Sequence, residues 1–363
     1  MGALDGIRVV DLSRVLAGPL VAMTLGDLGA DVVKVEAPGG DDTRHWAPPR
    51  DSAGRASYHH TANRNKRSIV LDLKQPADLA LVQVLCRDAD VVVSNFRPGT
   101  LERFGLAHGQ LGSSAISCEI TGFGEGAGRE LPGYDPLVQA VGGLMSVTGP
   151  PDRPSKVGVA IVDVAAALYA TIAVLAALYA RRDTGRGQRV TIDLLHANLA
   201  LLANQSTGFL ASGESPVRLG NVHPSIEPFA TYGTGDGDLM ICAGNDAQFA
   251  RLCEALQLPL DARFATNADR VERRDALRAV LEGALATRSA YEWRDVLSAA
   301  GVSAGPVQTI AEAFSLAGSL GLEVVDETDG VRTVAFPARL SETPATVRRR
   351  PPELDEHGSE LRK

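Results

Sequence analysis

Cysteine is scarce and never paired: Cys86, Cys118, Cys242 and Cys253 are scattered, with no CxxC. That spacing offers neither a metal-ligand set nor a disulfide framework, and it fits a reducing, cytoplasmic compartment. Basic residues are also in deficit, with 36 Lys and Arg against 44 Asp and Glu, for a net charge of −8. Nucleic acid, which needs a basic face, is therefore not the expected partner. Seven histidines form no HExxH, so no metal is expected. There is no GxSxG, which removes the nucleophile-elbow hydrolases. No signal peptide is legible either, because Asp5 and Arg8 fall where its apolar core would begin. One long apolar run exists, residues 157–180, and it could span a bilayer by length. Asp163 interrupts it and no second run follows, so it reads as a buried or interface helix rather than a membrane span.

What is present is an alternation of strands and helices. At 363 residues, 45% hydrophobic, the chain is long enough for two domains. Residues 6–11 read as a strand, 18–28 as a helix and 30–36 as a second strand ending in Glu36. That is how a doubly wound α/β fold opens. The first turn, residues 11–18, lacks the GxGxxG of a dinucleotide site, so a nicotinamide cofactor is not expected. Further strands are expected over 68–73, 90–94, 118–121 and 188–193. Lys74, Arg97 and Arg103 follow the carboxyl ends of such strands, where open α/β sheets bind ligands, and they suit an anionic one. The glycines at 122, 124, 126 and 128 are followed by no Lys-Ser/Thr pair, so this is not a Walker loop. Residues 205–220 dissolve into Ser, Gly and Pro and read as a linker. A smaller domain follows: a hairpin turning at 235–237, a helix capped by Asn245 or Asp246, and a Ser289/Glu292 capping-box spacing. The Pro-rich, charged stretch 348–352 reads as an extended surface tail.

Residues 131–149 stand out. Asp135 before Pro136 and an apolar run reads as a helix N-cap with Pro at N1. The same geometry would hold an ionised carboxylate at a helix N-terminus, a usable nucleophile for covalent catalysis. Gly142 and Gly143 weaken a helix by about 1 kcal/mol each, which implies that a backbone or ligand comes close. Asp163 is an acid in an apolar helix and needs either a partner or a raised pKa; pairing is the expectation.

In order along the chain, these motifs resemble those of the class III CoA-transferases, the formyl-CoA and carnitine CoA-transferase group. The resemblance rests on residues 11–19, 31–36, 65–74, 95–99, 133–135, 156–164, 185–188, 244–249 and 304–307, and covers nearly the whole chain. It implies that Asp135 is the catalytic aspartate, attacking an acyl-CoA thioester through anhydride and aspartyl-CoA intermediates. It implies CoA contacts from Val15, Leu71, Lys74, Asn95, Phe96, Arg97 and Arg103, with CoA as substrate and no resident cofactor. The implied fold is a Rossmann-like large domain (residues 1–199, completed by 332–363) and a smaller α+β domain (225–316), joined by linkers at 200–224 and 317–331. The implied assembly is an interlocked homodimer. Residues 142–149 resemble the succinyl-CoA-dependent members. The sister branch of α-methylacyl-CoA racemases carries a histidine where this chain has Tyr134, a poor base for an α-proton. An epimerase and a non-catalytic CoA-ester-binding protein are the alternatives.

Overall fold

The computed structural model describes all of residues 1–363. The chain divides into two compact units: Met1–Leu144, Val157–Glu214 and Leu322–Lys363 form the first, and Met145–Lys156 and Ser215–Gly321 the second.

Six strands make the sheet of the first unit: β1 (Arg8–Asp11), β2 (Asp31–Glu36), β3 (Lys66–Val70), β4 (Val91–Ser94), β5 (Ile116–Thr121) and β6 (Arg189–Asp193). All five pairings are parallel, in the order β3-β2-β1-β4-β5-β6. A parallel sheet is covered on both faces, which is why its strands read as continuous apolar runs. Val9, Val32 and Val91 pack with Val21 and Val174, from the helices Ala17–Asp27 and Ile161–Thr184. Val10, Val33 and Val92 pack on the other face with Val82 and Cys86 of the helix Pro76–Arg87. The strand order reverses between β1 and β4, which places the ligand crevice outside their carboxyl ends.

The second unit carries an antiparallel sheet, β7 (Phe229–Gly233), β8 (Asp238–Cys242) and β9 (Ser303–Pro306). Its core gathers Tyr232, Ile241, Phe249, Leu281 and Trp293. Asn245 caps the helix Asp246–Ala255, and Ser289 with Glu292 forms the capping box of the helix Ala290–Ala299.

Three expectations change. The stretch 200–224 is not all linker, because a helix, Asn204–Ser212, occupies it until Gly213 turns left-handed at φ 74°. Residues 317–331 hold the end of the helix Ile310–Ser319 and the strand β10 (Val325–Thr328), which pairs with β11 (Val331–Val334). The sequence signal for that helix is the Thr309/Glu312 capping box. The tail does not lie free on the surface. It covers the edge of β3: the His357 amide donates to the Ser68 carbonyl at 3.0 Å, Val70 N donates to Asp355 Oδ1 at 2.7 Å, and Arg362 Nη2 donates to the Val70 carbonyl at 2.8 Å. Pro351 and Pro352 are buried.

Candidate active site

The turn after β1 rests on a buried charge network. Asp11 accepts from Lys66 Nζ at 2.7 Å and from the Ser13 amide at 2.9 Å, while Lys34 Nζ lies 2.9 Å from Asp41 Oδ2 and donates to the Ser13 carbonyl at 3.0 Å. These side chains are almost fully enclosed. Burial alone would lower the Lys34 ammonium, but the charges of Asp11, Asp41 and Glu36 outweigh it and hold it above its ordinary value. Burial lowers Lys66 to about 8 even though Asp11 faces it. Burial would raise Asp41, but Lys34 and the Thr43 amide hold it well below the usual carboxylate range. Asp41 in turn accepts the Val15 amide at 3.2 Å, fixing a β-branched residue at φ 70°, in the left-handed region such side chains rarely enter. From β4, Asn95 grips the same turn, accepting from Arg14 N at 3.0 Å and donating to the Arg14 carbonyl at 2.7 Å. The point where strand order reverses is thus bridged by one side-chain amide.

Two cavities open there. One of about 150 Å³ is lined by Val15, Asn95, Phe96, Arg97, Arg129, Tyr134 and Asp163, among others. A second, of about 280 Å³, is lined by Leu71, Lys74 and Phe104 and shares Arg14 and Phe96 with the first. Six of the seven expected CoA contacts therefore line these cavities. Arg103 does not: it is exposed on the short helix Thr100–Arg103 and donates to Thr100 Oγ1 at 3.2 Å.

Two glycines bring the 131–134 loop to the sheet. A Cβ on Gly122 would lie 2.5 Å from the Gly133 Cα, so the two backbones touch where any side chain would separate them. At Gly142 the close approach is made by Asn198, whose Nδ2 donates to the Gly142 carbonyl at 2.6 Å.

Asp135 opens the helix Asp135–Val141, whose N-cap is Tyr134, and it does not cap that helix as its position beside Pro136 implied. Its carboxylate caps a different one. Oδ2 accepts the amides of Val162 at 2.7 Å and Asp163 at 3.3 Å, in the first turn of Ile161–Thr184. Ala160, the N-cap there, has no side chain able to do so. Oδ1 accepts from Gln139 Nε2 at 2.6 Å, and Gln139 Oε1 accepts the Val157 amide at 2.9 Å. Asp135 is 3% exposed and lines neither cavity. Asp163 lines the first one, and the pairing expected for it is absent. Burial, and then the charge of Asp135, push its carboxyl up to about 7.

Residues 4–358 match CoA-transferase family III. The chain belongs to that family. As a family III CoA-transferase it moves CoA between an acyl-CoA and a carboxylate. It is 43% identical to a succinate–glutarate CoA-transferase of Agrobacterium fabrum over 385 aligned residues, covering 99% of this chain and 94% of that one. It is 38% identical to an acetyl-CoA:oxalate CoA-transferase of Acetobacter aceti, covering 100% and 95%. A CAIB/BAIF family protein of Brucella suis has the same fold, with a TM-score of 0.91 at 42% identity, covering 99% and 98%. In this transferase the motif positions on strand ends were legible in sequence. The residues beneath them were not: Asp41 and Lys34 hold the turn from 26 and 21 positions away, and Gln139, one helical turn after Asp135, gives no sign in the sequence of also holding the Val157 amide 18 positions on.

Proposed function

We propose that this CoA-transferase works through an aspartyl intermediate, with Asp163 rather than Asp135 as the nucleophile. The observation that carries this is the contrast between the two carboxylates. Asp135 has both oxygens engaged and is enclosed, whereas Asp163 faces the cavity with its carboxylate free of hydrogen bonds. A carboxylate whose pKa is raised is also the more nucleophilic.

An Asp163 oxygen attacks the donor thioester carbonyl, the C–S bond breaks, and CoA leaves as its thiolate, giving a mixed anhydride. The thiolate then attacks the aspartyl carbonyl and expels the donor acid, forming an aspartyl-CoA thioester. The acceptor carboxylate opens that thioester to a second anhydride. The thiolate finally attacks the acceptor acyl carbon and restores the Asp163 carboxylate. Each step exchanges one acyl bond for another, so no ATP is consumed. Val15, Asn95, Phe96 and Arg97 would line the thioester end of CoA, and Leu71 and Lys74 the nucleotide end. Support for Arg103 is confined to its place after β4, outside both cavities. Residues 142–149 favour succinyl-CoA as donor, and the names of the relatives favour a small dicarboxylic acid as acceptor.

A homodimer accounts for the apolar face of Ile161–Thr184, where Leu168, Ile172 and Tyr179 are 56%, 63% and 70% exposed. A second copy of the chain would bury them.

The test is intact-protein mass spectrometry after mixing with succinyl-CoA alone. Trypsin separates the two acids, since residues 130–156 carry Asp135 and 157–181 carry Asp163. A CoA-sized, hydroxylamine-labile adduct is expected on the second peptide and should be missing in Asp163→Asn. An adduct on the first would return the role to Asp135. α-Proton exchange in D₂O with no adduct would instead make the chain an epimerase.

A further inference from the structure

Taking Asp163 as the nucleophile, we propose that Asp135 and Gln139 are a positioning pair: they clamp the first turn of the helix Ile161–Thr184 so that Asp163 projects into the cavity, and the charge of Asp135 presses on the Asp163 carboxylate until acylation removes it.

The clamp is continuous. Asp135 Oδ2 receives the Val162 and Asp163 amides, Gln139 Nε2 donates to Asp135 Oδ1 and to the Val159 carbonyl at 3.4 Å, and Gln139 Oε1 receives the Val157 amide. One short helix therefore holds residues 157–163 at three backbone amides and one carbonyl. Asp135 and Gln139 are buried, so solvent screens the carboxylate little.

The electrostatics follow from that placement. An anion beside a buried carboxylate raises its free energy, and converting the second carboxylate to an uncharged anhydride or thioester relieves the repulsion. Burial comes first and Asp135 second among the causes that push Asp163 up to about 7. Other titratable groups lie on the elements packed around this helix, and most are engaged elsewhere. Glu119 on β5 pairs with Arg189 on β6, Asp27 on the helix after β1 pairs with Arg64, and Asp193 on β6 accepts the His196 amide from the helix Leu194–Leu201. The Tyr58 phenol feels both acids and is raised, first by burial and then by their charge. Arg14, Arg97 and Arg129 line the cavity that Asp163 faces.

The rate of adduct formation from succinyl-CoA in a single turnover, followed against pH, tests this in the full-length protein. For the wild type it should rise through about pH 7 as Asp163 ionises. Asp135→Asn keeps the shape and one acceptor oxygen but removes the charge. Its rising limb should move down by roughly one pH unit or more, and its plateau should fall about tenfold as the nucleophile becomes less basic. Gln139→Ala keeps the charge and loosens the clamp, so its plateau should fall while its limb stays. A folded Asp135→Asn whose limb does not move overturns the electrostatic role. An unchanged Gln139→Ala plateau overturns the clamp, and it does so even if Asp135→Asn fails to fold. A wild-type adduct on the Asp135 peptide, or none at all, overturns the nucleophile assignment and this inference together. A wild-type adduct on Asp163 with unmoved variants overturns the inference alone.

Discussion

A buried acid, Glu36, and a half-buried one, Asp163, titrate in opposite senses, and stability follows each. Glu36 would be raised by burial, but Arg44, Lys34 and Ser68 bring it down to about 2. Its contribution is complete above the ordinary carboxylate range and is lost as pH falls toward 2. Asp163 has the reverse sign. Its folded value of about 7 lies above the ordinary 3.8, so the native state binds the proton more tightly, and stability declines as pH rises between the two. Asp163→Asn should therefore match the wild type near pH 4 and exceed it at pH 8, by about 2 kcal/mol once partial exposure is discounted. Urea denaturation at the two pH values measures the difference, and equal stability at pH 8 would argue that the carboxylate is solvated. Arg97 lines the cavity without a side-chain partner in the protein, and the proposed reading gives it a part in binding rather than chemistry. Arg97→Ala should raise KM for CoA esters about tenfold and leave kcat nearly unchanged, since a contact made equally to the bound ester and to the transition state is uniform binding. Steady-state kinetics with varied acyl-CoA decides, and a loss confined to kcat would contradict that role.

At the scale of elements, the site depends on two backbones touching at Gly122 and Gly133. Gly122→Ala would place a methyl group 2.5 Å from the Gly133 Cα and force the 131–134 loop off the sheet. A loss of about 1–3 kcal/mol in chemical denaturation is expected, with a drop in transfer rate because Tyr134 lines the cavity. Unchanged activity would mean that this loop does not set the site. Strands, helix starts and the crevice at the reversal of strand order were readable because each depends on neighbouring residues. Val91, Val92 and Val93 announce a buried strand, and Ser289 with Glu292 announces a helix start. Asp135 shows where such reading stops. Its sequence neighbours put it at the start of its own helix, yet the amides it receives belong to residues 27 and 28 positions later. The sequence shows Asp163 as an acid out of place in an apolar helix, but only the fold reveals that no cation pairs with it. The left-handed Val15 was equally hidden, because Asp41, which holds it, lies 26 residues away.

The whole molecule joins a two-faced parallel sheet to a separate antiparallel unit, and leaves one long helix half covered. Sedimentation should find a dimer in the wild type. Ile172→Arg, on the exposed face, should shift it toward monomer, and a wild-type monomer would mean that this face has another occupant. The tail bound along β3 has a consequence for the order in which the protein is made. Arg348 meets Asn65 across 283 positions, so the ribosome delivers β3 long before the segment that shields its open edge. During that interval the growing chain presents unpaired strand groups to its surroundings, a template for association with other chains. Its exposure to aggregation is therefore set by translation speed and by chaperone occupancy at β3, not by the stability of the finished fold.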